Sequence, residues 1–196
     1  DLYQGLLRRN GRSMGLGEAL SNKLELHFDG EKIYAEVSEL SLAFLSKGYG
    51  QLDKENGIIV YNCAEALYLL ENKMAFVMSG NSNMTFNELL YALESKSEAL
   101  WRDYVIYRDL RNRRYTVKEG FSPDLAFRVF ERGEFQKETA KYLIAPLSEG
   151  KSVKLSKLKH LLSICRALKK DMVISVVDRR NEVVYYLASQ VDLKNV

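Results

Sequence analysis

Seven of the residues between 151 and 170 are Lys or Arg, and none is acidic. The run reads KSVKLSKLKHLLSICRALKK, while the remaining chain carries 22 Lys/Arg against 26 Asp/Glu. One basic element therefore sits on a mildly acidic body, although the net charge of the whole chain is only +3. Such a stripe is the electrostatic footprint of phosphate contact, and it is also what a solvated helix face looks like. Lys154, Lys157 and Lys159 on its N-terminal half and Arg166 on its C-terminal half are the candidate phosphate ligands. Lys169 closes the run beside Lys170, where a cation suits a helix C-terminus. Asp124 and Glu131 are the carboxylates from which a metal site could be built. His27 and His160 are the only histidines, which excludes a His-rich metal centre. Cys63 and Cys165 lack metal-type spacing and read as small apolar residues in a reducing compartment. No metal and no cofactor is expected.

These residues need elements to position them. Leu24, Leu26 and Phe28 alternate up to Asp29-Gly30, and Ile33, Ala35 and Val37 alternate after it, which predicts a hairpin with a type I′ turn. A short helix over 39–46 and a strand over 58–61 follow. Asn62 precedes CAEALYLLENK with Glu65 three residues on, a capping-box pattern, and Thr85 with Glu88 makes a second. Leu100, Tyr104, Tyr107 and Leu110 recur at helical spacing, which makes core packing the first reading of those tyrosines. Beyond them the order is strand, strand, strand, basic helix, strand, strand. The basic helix turns Leu155, Leu158, Leu161 or Leu162, Cys165 and Leu168 inward. Ser95–Ser97 lacks apolar residues and is the expected boundary between two α/β units, 1–96 and 97–196. Residues 1–22 are mixed and Gly-rich, with no assigned element. No run approaches the roughly 18 apolar residues of a membrane span, and no signal-peptide apolar region opens the chain. A cytoplasmic protein without membrane contact is expected. The start at Asp1 is compatible with processing or with a segment of a longer polypeptide.

Three segments carry a resemblance. GIIVYNCAEALYLLENKMAFV, YRDLRNRRYTVKEGFSPDLAFRVFERGEFQKETAKYLI and RALKKDMVISVVD together resemble the archaeal tRNA-splicing endonucleases, over about residues 24–190. The resemblance implies a small N-terminal α/β domain and a restriction-endonuclease-like C-terminal α/β domain. It also implies metal-free cleavage of precursor tRNA at bulge–helix–bulge motifs, giving 2′,3′-cyclic phosphate and 5′-hydroxyl ends. In that family a Tyr before ERG, a His before the YLV-type strand and a Lys after the next helix do the chemistry. Here those positions hold Phe130, Thr139 and, as read from the helix end, Lys169.

A Phe cannot accept a proton, and a Thr hydroxyl titrates far too high to act as an acid near neutral pH. Each acid or base role is worth roughly 10²–10⁴ in rate. The family's Gly-Leu-Lys-Tyr-Gly-x-Asp-Phe-Arg run is GFSPDLAFR here, keeping Gly120, Phe127 and Arg128 but placing Asp124 and Ala126 at the central Gly and Asp positions. Leu162 stands near where the family carries an RNA-gripping Arg. The expectation is a structural, catalytically degenerate subunit or repeat in a heterotetramer-like assembly. A paralogue, or another repeat of the same polypeptide, would supply the active sites. VVYYLAS is apolar on both faces, which makes the last strand an expected assembly surface through Val184 and Tyr186, in agreement with the strand pairing between subunits that the resemblance implies; burial of both faces within its own sheet is the alternative. The resemblance also implies docking through the turn before it, here with Asp178 and Glu182. That turn is acidic in the family and mixed in charge here. Two other readings stay open: an RNA-shape-binding module that cleaves nothing, and a nuclease rebuilt around a metal held by Asp124 and Glu131.

Overall fold

A computed structural model of the protein describes residues 23–95, 97–136 and 139–190, so the Gly-rich segment 1–22 lies outside it. The first half forms a six-stranded sheet from β1 (Leu24–Phe28), β2 (Ile33–Glu36), β3 (Gln51–Asp53), β4 (Ile58–Tyr61), β5 (Ala75–Ser79) and β6 (Ser82–Met84). Their order is β3-β4-β2-β1-β5-β6, with only the β1–β5 pairing parallel. Helices α1 (Glu39–Ser46), α2 (Cys63–Glu71) and α3 (Phe86–Glu94) accompany it. The expected hairpin is present, but its turn differs. Gly30 has φ 94° while Glu31 does not lie at positive φ, and a type I′ turn needs both central residues there. The Asp29 carboxylate instead accepts the Glu31 and Lys32 N–H groups at 2.7 Å each. Thr85 and Glu88 form the reciprocal capping box. Asn62 caps α2 by accepting from the Glu65 N–H at 2.9 Å, but the Glu65 side chain does not return to the cap: it runs into the protein interior.

The second half is a five-stranded sheet of β7 (Thr116–Ser122), β8 (Leu125–Phe130), β9 (Tyr142–Ser148), β10 (Asp171–Val177) and β11 (Val183–Ala188). The order is β11-β10-β9-β8-β7, antiparallel except for β9–β10. A parallel pair needs a crossover, and α5 (Leu155–Ala167) supplies it. The sheet is covered on both faces. Phe127, Val129, Ile144 and Val177 join a core with Leu100, Tyr104, Tyr107 and Leu110 of α4 (Leu100–Asn112), while Leu143, Ala145 and Met172 pack with Leu161 and Cys165 of α5. The inward stripe of the basic helix is shorter than its sequence suggests, because Leu155 is 66% and Leu168 43% exposed. Within the helix only Leu161 and Cys165 are buried. None of the described helices is long and apolar enough to cross a membrane.

The core around α4 is continuous with that of the first sheet through α2. At this junction lies a buried polar group of residues. The Arg111 guanidinium is 4.0 Å from the Tyr49 ring centroid. It donates to the Tyr107 hydroxyl at 3.0 Å and to the Gly48 carbonyl at 2.8 Å. Glu65 accepts from the Tyr107 hydroxyl at 3.2 Å and stands 3.9 Å from Arg111. Burial pushes the Glu65 carboxyl up, opposed by Lys118, Arg111 and the Gly50 N–H. Burial also pulls the Lys118 ammonium down, opposed by Glu65, and Lys118 donates to the Gly48 and Gly50 carbonyls. Gly48 has φ 81°, and a Cβ there would come 2.3 Å from Thr116 Cγ2, so the turn after α1 fits against β7 only as glycine.

Removing one partner of a buried charge pair leaves the other uncompensated, at a cost of about 3–5 kcal/mol. Arg111→Ala should lower the unfolding free energy by about that amount in urea denaturation. Arg111→Lys should recover little of it, because an ammonium cannot stack on Tyr49 while bridging two acceptors.

Candidate functional site

Phe130 ends β8, Thr139 lies just before β9, and Lys169 and Lys170 lie just before β10. Val129 pairs with Tyr142 and Tyr142 pairs with Asp171, so these three strand ends meet at one end of the sheet. The lysine that completes the group is Lys170, whose Nζ donates to Thr139 Oγ1 at 2.6 Å. Lys169, the residue singled out from the sequence, has φ 54° and is exposed. The reason is the way α5 stops. The Lys169 N–H bonds the Arg166 carbonyl at 3.0 Å and the Lys170 N–H bonds the Cys165 carbonyl at 2.9 Å, a Schellman ending that places Lys169 at the left-handed position. Lys170, one residue on, enters the strand and reaches Thr139.

The Phe130 position is closed by apolar packing. Its ring is 9% exposed and meets Phe135 edge-on, 5.0 Å between centroids at 87°. Phe135 in turn borders Gly48, where an added Cβ would lie 3.4 Å from its ring, and Lys118 Nζ sits 5.7 Å from its centroid. Gln136 Nε2 donates to the Ser46 carbonyl at 2.9 Å, and Arg132 Nε donates to the Arg113 carbonyl at 2.9 Å. Segment 131–136 is thereby fastened both to the end of α1 and to the turn before β7. Next to Phe130, Glu131 Oε1 accepts from Lys141 Nζ at 2.6 Å and from the Tyr142 hydroxyl at 3.3 Å, and Thr139 offers Lys170 a neutral acceptor.

Asp124 and Glu131 are not brought together. They flank the two ends of β8, about 20 Å apart at strand rise, and each has its own lysine: Asp124–Lys157 at 2.6 Å and Glu131–Lys141 at 2.6 Å. Glu131 holds the Lys141 ammonium up to about 12, and Lys141 with Tyr142 holds the Glu131 carboxyl down. A two-carboxylate metal centre built on this pair does not fit that geometry.

The basic helix presents Lys154, Lys157, Lys159 and Arg166 as exposed residues. Lys154 is the N-cap and makes no side-chain cap bond. Lys157 is shared with Asp124, and Arg166 donates to Gln190 at 3.2 Å. On β11, Val184 is 50% and Tyr186 55% exposed. Tyr185 faces the other way and donates to Asp109 at 2.8 Å. The turn between β10 and β11 is tied to its own chain. Asp178 Oδ1 accepts the Arg180 and Glu182 N–H groups at 2.8 Å each. The Arg180 guanidinium reaches Asp178 at 3.5 Å and Glu182 at 3.4 Å, and Asn181 Oδ1 accepts from Trp101 Nε1 at 2.9 Å. Its two acids are neutralised within the turn.

Lys170, Phe135 and Arg111 carry no distinguishing sequence signal. A lysine pair gives no hint of which member turns outward, Phe135 looks like an isolated loop aromatic, and Arg111 is one of four arginines between 108 and 114.

Residues 24–90 match the tRNA intron endonuclease, N-terminal domain, and residues 100–185 match the tRNA intron endonuclease, catalytic C-terminal domain. The tRNA-splicing endonuclease of Methanococcus vannielii is 32% identical over 141 residues, 71% of this chain and 78% of the relative. That of Pyrococcus abyssi is 29% identical over 164 residues, 83% and 94% of the two chains. That of Thermococcus onnurineus is 27% identical over 168 residues, 85% and 96%. All of the first sheet, the helix that joins the two, and the second sheet up to the middle of β11 fall within these matches, and the chain belongs to the tRNA intron endonuclease family.

Proposed function

We propose that this chain is a structural, catalytically degenerate subunit or repeat of a tRNA-splicing endonuclease, and that its assembly removes introns from precursor tRNA at bulge–helix–bulge motifs. The observation that carries the reading is Phe130, buried behind Phe135 where the resemblance requires a proton acceptor. Attack by a 2′-hydroxyl on its own phosphodiester needs a base for that hydroxyl, an acid for the leaving 5′-oxygen and positive charge for the phosphorane. Of these only the charge is available here, from Lys170. A lone ammonium beside a threonine hydroxyl moves no protons. The RNA chemistry then falls to a partner with the Tyr and His in place, either a separate paralogue or another repeat of the same polypeptide.

What remains is scaffold and grip. The described parts of the two units assigned here, 1–96 and 97–196, hold one another through α4 and the buried Arg111 group. The outer face of β11 offers Val184 and Tyr186 to a neighbour, since an edge strand with exposed apolar side chains is an association surface. The Asp178–Glu182 turn is a weaker candidate for docking into a cationic groove, because Arg180 already satisfies its carboxylates. The α5 stripe supplies phosphate contacts.

Three outcomes follow. The isolated chain leaves a bulge–helix–bulge RNA intact with or without Mg²⁺, and cleavage above that of a Lys170→Ala control would overturn the reading. Val184→Lys with Tyr186→Lys splits the native assembly while circular dichroism stays unchanged; sedimentation at unaltered mass would remove β11 from the interface. Replacing Lys154, Lys157, Lys159 and Arg166 by Ala flattens the salt dependence of RNA binding by about one unit per lost contact, whereas an unchanged slope would make the stripe a solubilising face.

A further inference from the structure

The ladder between β7 and β8 slips by one residue. Glu119 pairs with Phe127, but Ser122 pairs with Leu125, which leaves β7 one residue longer than its partner. Gly120 makes this possible: a Cβ there would lie 1.7 Å from the Leu125 carbonyl oxygen, so the backbones approach as only glycine permits. Bulges of this kind re-aim a neighbouring side chain, and the neighbour is Phe121, 58% exposed. The Arg128 guanidinium carbon is 5.4 Å from its ring centroid, and Arg128 is held by donating Nε to the Glu119 carbonyl at 2.8 Å. Phe121, Arg128 and Lys118 all line a cleft of about 1050 Å³ between this hairpin and the β3–β4 edge of the first sheet. At the hairpin tip Asp124 pairs with Lys157 of α5 at 2.6 Å, so the ring is tied to the start of the basic stripe.

We propose that Phe121, backed by Arg128, is a stacking platform for an unpaired base of the RNA whose phosphates the α5 stripe contacts. This rests on the RNA-gripping role proposed above. An exposed ring with a fixed cation over it and phosphate ligands one ion pair away suits a nucleobase, because every base has a π-face and the backbone next to it is anionic. Base stacking on an aromatic is sequence-tolerant, which fits a chain that meets bulged bases of varied identity.

The test is a fluorescence-anisotropy titration of the full chain at fixed salt with two RNAs of equal length, one bulge–helix–bulge and one fully paired. Phe121→Ala weakens binding to the bulged RNA by about tenfold and leaves the duplex unchanged, while Phe121→Trp binds the bulged RNA as the parent does. Making the bulge positions abasic removes the parent's preference and leaves Phe121→Ala indifferent. Equal affinity of Phe121→Ala and parent for the bulged RNA overturns the platform, as does an equal loss on both RNAs. A shift in native mass with RNA affinity intact also overturns it, by making Phe121 a protein contact. If the parent binds neither RNA, the gripping role itself fails, a result distinct from the others.

Discussion

The Arg111 guanidinium is the contact on which the arrangement of the two halves depends. It lies on α4, the helix whose apolar residues belong to the core of both sheets, and it reaches the Tyr49 ring, the Tyr107 hydroxyl and the Gly48 carbonyl together. A buried guanidinium is tolerable only when its donors are satisfied and an anion stands near, which Glu65 provides. Its acceptors come from both halves, so the halves cannot shift against each other without exposing or orphaning a charge. The turn after α1 has no freedom either: Arg111 and Lys118 hold the carbonyls of Gly48 and Gly50, and β7 fills the space that a Cβ would need.

That held turn also fixes the segment after β8. Phe135 rests against Gly48 and Gln136 bonds Ser46, so the segment after β8 is fastened to the first half of the molecule. Phe130 completes the contact from the strand end. Phe130 is thus part of a hydrophobic joint. At the same strand ends Lys170 Nζ donates to Thr139 Oγ1, and Glu131 is held by Lys141 and Tyr142.

Much of this was legible beforehand, wherever local chemistry decides the outcome. The order of elements in the second half, the Thr85–Glu88 box, the burial of Tyr104 and Tyr107 and the opposed faces of Tyr185 and Tyr186 follow from alternation, helical spacing and capping, whereas the three-residue strands β3 and β6 are too short to show a pattern. The misses occur where tertiary geometry overrides a local pattern. Glu65 fits a capping box by spacing, yet Arg111, Lys118 and Tyr107 draw its carboxylate inward. Lys169 and Lys170 are indistinguishable in sequence, and only the left-handed ending of α5 assigns one to solvent and the other to Thr139. Asp124 and Glu131 seem close enough in sequence to share a metal, but the extended strand between them holds them apart. The leucines at the ends of α5 match its inward stripe by spacing and yet remain exposed.

The central claim is that this chain supplies structure while another supplies the acid and base. It is tested most directly by purifying the native assembly from source cells, determining its mass and sequencing every polypeptide in it. The account predicts an assembly that cleaves bulge–helix–bulge RNA and contains a second chain or repeat with Tyr and His at the positions of Phe130 and Thr139. An active assembly built only from copies of this domain would contradict it.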